Sequence, residues 1–153
     1  MKKSLLISIA IPLIVGFASG FLSGNNMMSF SQLNKPPLSP PGWLFPIVWT
    51  ILYILMGISF YLIVNQKNSM DISSAVYIYF IQLIINFFWS IFFFRFEWYL
   101  FSFLWLVLLW MSLLLMIILF YRISPLSAYI QIPYLFWVTF AGYLNLSIYL
   151  LNA

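Results

Sequence analysis

The chain has 153 residues, of which 65% are hydrophobic, 22% aromatic and only 5% charged. Six basic and two acidic side chains cannot cover the surface of a soluble domain of this length, so the formal charge of +4 is not a nucleic-acid signature. The absence of Cys and His removes disulfides, thiolate nucleophiles, sulfur metal sites, the commonest general base and the commonest haem or zinc ligand, and no metal site is expected.

Crossing a hydrocarbon core of about 30 Å takes roughly 20 apolar residues. Five stretches are long enough, at 4–22, 43–64, 73–94, 98–120 and 127–151. The expected fold class is an all-α membrane protein, a single bundle of five transmembrane helices over 1–153, with the lipid bilayer as its main partner.

The first stretch begins with Lys2 and Lys3 and ends near Ala18, Ser19 and Gly20, a pattern shared with secretory signal peptides. Its apolar run is long for one and no soluble domain follows, so it is read as a retained helix. Ser8, Pro12, Gly16, Gly20 and Gly24 recur every four residues, a small-residue ridge that admits a close neighbour. That neighbour is either another helix of the same bundle or the same helix of a second copy. The segment 23–42 follows, with Pro36, Pro37, Pro40 and Pro41. Prolines lack amide donors and favour extended backbone, so a semi-rigid loop is expected.

The second stretch opens on Trp43, an interfacial residue, and repeats Phe45, Trp49, Tyr53 and Gly57 every four positions. After a short connection carrying Lys67 and Asp71, the third stretch spaces Tyr79, Gln82, Asn86, Trp89 and Phe93 by 3, 4, 3 and 4. That spacing places one polar and aromatic stripe on a single helix face. The fourth stretch, opened by Trp98, carries Trp105 and Trp110 among Leu and Phe, an arrangement suited to facing lipid. A connection with Arg122 and Pro125 leads to the fifth, where Tyr134, Trp137, Ala141 and Asn145 share a face and Pro133 is placed to kink the helix beside Trp137. Short connections imply antiparallel neighbours.

No charged residue lies well inside a span, which argues against proton-coupled carriers and voltage sensors. Helical rise places Trp49, Asn86, Trp89 and Asn145 roughly 8–12 Å below the long-loop side, with Trp137 nearer mid-membrane. The stripes therefore either lock helices together through amide hydrogen bonds or converge on one aromatic pocket beneath the proline loop. Lys2, Lys3, Lys67 and Arg122 on one side against Lys35 and Arg95 on the other predict the N-terminus inside, with the long loop and C-terminus outside. The absence of a targeting sequence fits a bacterial cytoplasmic membrane.

Several segments resemble the tryptophan-rich sensory protein and translocator protein (TspO/MBR) family, also called the peripheral benzodiazepine receptor family. They are Lys35-Pro36-Pro37 to Gly42-Trp43, Val48-Trp49-Thr50-Ile51-Leu52-Tyr53, Gln82-Leu83 through Asn86 to Trp89-Ser90, Pro133 to Trp137, and Ala141 to Asn145. The resemblance implies a five-helix bundle, often a homodimer, whose cavity under the first loop accepts porphyrins and benzodiazepine-type ligands. Carried onto this chain, the ligand-binding residues are Trp49, Tyr53, Asn86, Trp89, Trp137, Ala141 and Asn145, with Lys35 and Pro41 as a lid. No basic residue follows Tyr143 or Tyr149, so the sterol-recognition pattern of animal members is missing.

The leading expectation is a membrane protein that binds or senses porphyrins such as protoporphyrin IX, with no built-in cofactor. Without His or Cys as axial ligands, a metal-free porphyrin suits it best. The resemblance also implies, as an alternative, light- and oxygen-dependent degradation of bound protoporphyrin, with Trp49 and Trp137 as electron partners; a further alternative is transport of tetrapyrroles, for which no inverted repeat is visible.

Overall fold

The computed structural model describes residues 1–24, 27–66 and 71–153, and the side chains of all of these except 27–29. Lys67, counted above for orientation, lies outside the described residues. The helices are α1 (Lys2–Ser23), α2 (Met27–Gln32), α3 (Leu44–Val64), α4 (Ser73–Ser90), α5 (Tyr99–Ile123), α6 (Pro125–Ile130) and α7 (Ile132–Leu151). A π-helical turn, Ile91–Arg95, continues α4. Among the described residues, five helical segments are long and apolar enough to cross a membrane: α1, α3, α4 with its π turn, α5, and α6 with α7. The protein is an all-α, membrane-embedded bundle of five spans.

Its polarity is that of a protein dissolved in lipid. Leu6, Ile14, Phe17, Phe21, Ile84, Leu104, Met111 and Phe136 are exposed, whereas Ser59, Gln82, Asn86, Ser102, Gln131 and Asn145 are buried. Where lipid tails are as apolar as leucine, helices are held by close packing and interhelical hydrogen bonds. Around the bundle, α1 packs on α3 and α4, α5 on α4, α6 and α7, and α6 closes the ring against α3. The first span is thus a wall of the bundle.

The small-residue ridge of α1 is used within the protomer at its lower end. A methyl group on Gly57 of α3 would stand 2.7 Å from the Ser8 carbonyl oxygen and closer still to Ile9 Cα, so the two backbones touch. Gly16 lies against the Tyr53 ring. Higher up, a methyl group at Gly20 or Gly24 would meet nothing within 4 Å. The helices separate there.

Three boundaries differ from the sequence reading. The loop 23–42 contains α2, which buries Phe30 to 4% exposure, because an apolar ring at the bundle mouth gains more from aromatic neighbours than extended backbone gains from water. The fourth span runs through Arg122 to Ile123, since nothing before Pro125 breaks it. The fifth span breaks at Gln131, two residues before Pro133. Proline has no N–H for the Tyr129 carbonyl, and the chain turns instead through a Gln131 N–H bond to the Ala128 carbonyl at 3.1 Å.

Candidate ligand-binding cavity

Where α1 leaves α3, a cavity of about 790 Å³ opens between α1, α3 and α4 at the long-loop end. Trp49, Phe45, Trp89 and Phe94 supply aromatic walls, Tyr53 and Asn86 a polar patch, and Ser19, Gly20, Ser23 and Gly24 the α1 side. Four-residue spacing on α3 brings Phe45, Trp49 and Tyr53 to one face, and the 4-and-3 spacing on α4 does the same for Asn86 and Trp89. Trp49 stacks on Tyr53 with ring centroids 5.6 Å apart and meets Trp89 at 6.2 Å.

A hydrogen-bonded chain sets these side chains. Tyr53 donates to Asn86 Oδ1 at 2.9 Å, Asn86 Nδ2 donates to the Tyr134 hydroxyl at 2.6 Å, and Tyr134 donates to Gln82 Oε1 at 2.9 Å. Gln82 Nε2 ends the run on the Met56 sulfur at 3.9 Å. Every donor points the same way, so each bond polarises the next. The Tyr53 ring is held by its hydroxyl at one end and by Gly16 at its edge.

The π turn contributes as well. The Ile91 N–H bonds to the Phe88 carbonyl, and the Phe87 carbonyl accepts the Ser19 hydroxyl of α1 at 2.7 Å. Ser23 donates in turn to the Ser19 carbonyl at 2.6 Å. At the rim, Arg95 donates to the Leu22 carbonyl at 2.9 Å and has no ion-pair partner among the described residues. Leu22 sits between Phe21 and Ser23, both of which line the cavity.

Of the residues singled out from sequence, Trp49, Tyr53, Asn86 and Trp89 line this cavity together. Those of α7 do not. Asn145 is buried and fully engaged: it accepts from Trp89 Nε1 and Ser102 Oγ, both at 3.1 Å, and donates to the Tyr99 carbonyl at 2.7 Å. Ala141 is buried within the packed core. Trp137 lies behind Phe45, with centroids 5.8 Å apart, and lines a separate groove of about 550 Å³ with Pro133, Phe136 and Val48. Its indole N–H has no hydrogen-bond partner among the described residues. On the side where the fifth span was expected to supply a wall, the cavity is lined by α1, and the α7 amide of Asn145 is bonded to α4 and α5.

The cover also differs in detail. Phe30 packs on Phe45 at 5.4 Å and Phe94 at 6.1 Å, both cavity-lining rings. Lys35 is engaged with the cover itself, donating to the Phe30 and Ser31 carbonyls at 3.2 and 3.4 Å with its ammonium 4.8 Å from the Phe30 ring centroid. Pro41 is exposed, and its carbonyl accepts the Leu44 N–H at the start of α3. The loop is tied to α7 by Tyr143 donating to the Pro37 carbonyl and by Asn152 pairing with the Asn34 backbone. Among the described residues, no three His, Cys, Asp or Glu side chains converge on a metal-sized site.

These features define a class: a five-span integral membrane protein with an aromatic cavity near one membrane face. The chain belongs to the TspO/MBR family, whose model matches residues 8–151. It is 39% identical to the tryptophan-rich protein TspO of Chlorobaculum tepidum over 99% of both chains. To the protein of the same name from Archaeoglobus fulgidus it is 37% identical over 97% of both. The human translocator protein is 29% identical over 83% of this chain and 76% of its own length.

Proposed function

We propose that the protein binds flat, hydrophobic ligands, with metal-free porphyrins such as protoporphyrin IX as the best-suited class, in the α1–α3–α4 cavity. The observation that carries this reading is a cavity of about 790 Å³ with Trp49, Trp89, Phe45 and Phe94 on its walls. That volume lies within the range of small-molecule sites, and aromatic faces suit a planar π-system. Family relatives named sensory protein and translocator protein support a sensing or translocating role. Benzodiazepine-type ligands fit the same walls by the same stacking.

Acidic substituents on such a ligand belong at the rim. A carboxylate buried among aromatic walls loses its hydration, while Arg95 offers a guanidinium beside cavity-lining Ser23. Lys35, expected from sequence as part of the lid, is held by the Phe30 and Ser31 carbonyls, which makes Arg95 the better-placed partner for a propionate. The proposed topology keeps the N-terminus inside and places the cavity in the outer half of the membrane. A homodimer, implied by the family, would form through a face other than the lower α1 ridge, which α3 covers.

The test is titration of protoporphyrin IX into purified protein, followed by tryptophan quenching. Saturable binding that Gly20→Leu weakens at least about tenfold and Trp49→Phe weakens less is expected. Undiminished affinity in both variants overturns the site.

A second reading, photo-oxidative breakdown of bound protoporphyrin, is favoured by one contact chain: Trp49 meets Tyr53, Trp89 and Tyr134 within 6.2 Å between centroids. Light-excited porphyrin would be the oxidant of Trp49, and oxygen the final acceptor. A product formed under illumination and lost in Trp49→Phe is expected; equal product from free porphyrin in detergent overturns it.

A further inference from the structure

We propose that the half of the bundle remote from the cavity holds a second, enclosed site, built from Tyr79, Ser127 and Gln131, whose ligand is ordered water. All three residues are 0% exposed. The Tyr79 hydroxyl, the Ser127 hydroxyl and both polar atoms of the Gln131 carboxamide have no hydrogen-bond partner among the described residues. Buried polar atoms in folded proteins are satisfied by protein or by ordered water, and leaving one unpaired is costly.

The register of the helices brings these groups to one level. Tyr134 donates to Gln82 at 2.9 Å, which ties α7 to α4 at that height. As third and fifth spans of an alternating bundle, the two run parallel. Tyr79 is three residues before Gln82, and Gln131 three residues before Tyr134, so both drop by about 4.5 Å in the same direction. A helical tyrosine leans toward the N-terminus of its own helix, which carries the Tyr79 hydroxyl further the same way. Ser127 lies one turn below Gln131. Its carbonyl accepts Ser59 Oγ of α3 at 2.8 Å, and the adjacent Phe60 stacks on Tyr79 at 4.2 Å. Ser127 and the Tyr79 ring therefore flank a single turn of α3, with Gln131 one turn above Ser127 on its own stretch of chain.

The chemistry of the donor set selects the guest. Gln131 offers two N–H donors and a carbonyl acceptor, and the two hydroxyls offer both roles. None of the three carries a charge to hold an anion, and none is a carboxylate to hold a cation. Water supplies two donors and two acceptors and needs two to four polar partners, which this group provides. With Tyr53, Asn86, Tyr134 and Gln82 above it, the site completes a polar column from the cavity wall to the third residue of α6.

A stability measurement reads the proposal through its sign. Gln131→Met keeps volume and removes the polar atoms. With bridging water, that variant and Tyr79→Phe each lower the Tm in detergent by about 3 °C or more, and their combined effect is less than the sum. A dry site gives the opposite sign for Gln131→Met, because an unpaired carboxamide is removed. A structure at a resolution that resolves solvent is the second readout, and is expected to place water within hydrogen-bond distance of Gln131 and Tyr79. A raised or unchanged Tm for Gln131→Met, or a Gln131 carboxamide bonded only to protein groups, overturns the proposal.

Discussion

Trp89 gives its indole N–H to the Asn145 carboxamide, 3.1 Å away and 56 residues later in the chain. One amide thereby joins α4, α7 and α5, since Asn145 also accepts from Ser102 and donates to the Tyr99 carbonyl. The bond fixes the Trp89 ring as a cavity wall rather than leaving it to rotate.

Asn145→Ala should therefore be costly in two ways. It strands the Trp89 N–H and weakens the bonding of Ser102 and Tyr99 in a region 1% exposed at Asn145. The expected loss is about 2 kcal/mol, read as a lowered Tm in detergent. Protoporphyrin affinity should fall as well, because the freed Trp89 ring enters the cavity. An unchanged Tm would mean that α4 and α7 are held by packing alone.

The glycines of α1 and α3 should separate stability from binding. Gly57→Ala presses a methyl group into the α1 backbone, where nothing flexible can yield, and overpacking of this kind costs about 1–3 kcal/mol. Gly20→Leu places its side chain in open cavity and replaces a poor helix former, so the Tm should hold or rise. Its protoporphyrin affinity should fall at least about tenfold, a loss equivalent to about 1.4 kcal/mol. Thermal unfolding and quenching titrations on the same two preparations check both. A Gly20→Leu protein that binds normally would move the ligand out of this cavity.

These contrasts explain what was readable beforehand. The stripes of α3 and α4 were legible because helical spacing alone decides that Trp49 and Tyr53 share a face, as do Asn86 and Trp89. The five spans followed from apolar length. The α1 wall was not legible: Gly20 and Gly57 are identical residues in similar surroundings of sequence, and only the bulk facing them decides between a void and a backbone contact. The engagement of Asn145 was illegible for a related reason. Spacing sets it level with Trp89, but whether an amide has valence left for a ligand depends on partners such as Ser102 and Tyr99 on another helix. Phe30 carried a usable signal as the one aromatic residue of segment 23–42, which the prolines overshadowed.

The entry to α4 predicts a pH dependence. Asp71 accepts from the Ser73 hydroxyl at 2.6 Å and from the Ser73 backbone N–H at 2.9 Å. The hydroxyl bond first, and the backbone bond second, hold its carboxyl below the usual aspartate value. A carboxyl depressed in the folded state stabilises above its unfolded pKa, and that stability is lost as pH falls through the folded value. The Tm difference between wild type and Asp71→Ala should stay constant from pH 7 down to about 4 and narrow below it. A difference that widens in acid would show that the hydrogen bonds favour the protonated form.

Arg95 supplies the most direct test of how a ligand sits. Its guanidinium spends one N–H on the Leu22 carbonyl and leaves others at the rim, next to the stretch of α1 that lines the cavity. Protoporphyrin IX carries two propionates, and its dimethyl ester has the same ring without the charges. If the acid margin meets Arg95, Arg95→Gln should weaken protoporphyrin by about fivefold and leave the ester unchanged. Added salt should erode the acid's advantage in wild type, since a rim charge is open to screening, and Arg95→Lys should recover part of it. Equal losses for acid and ester would assign Arg95 to holding α1 in place through Leu22. Indifference of both would put the propionates elsewhere, with Lys35 of the cover as the next cation to replace.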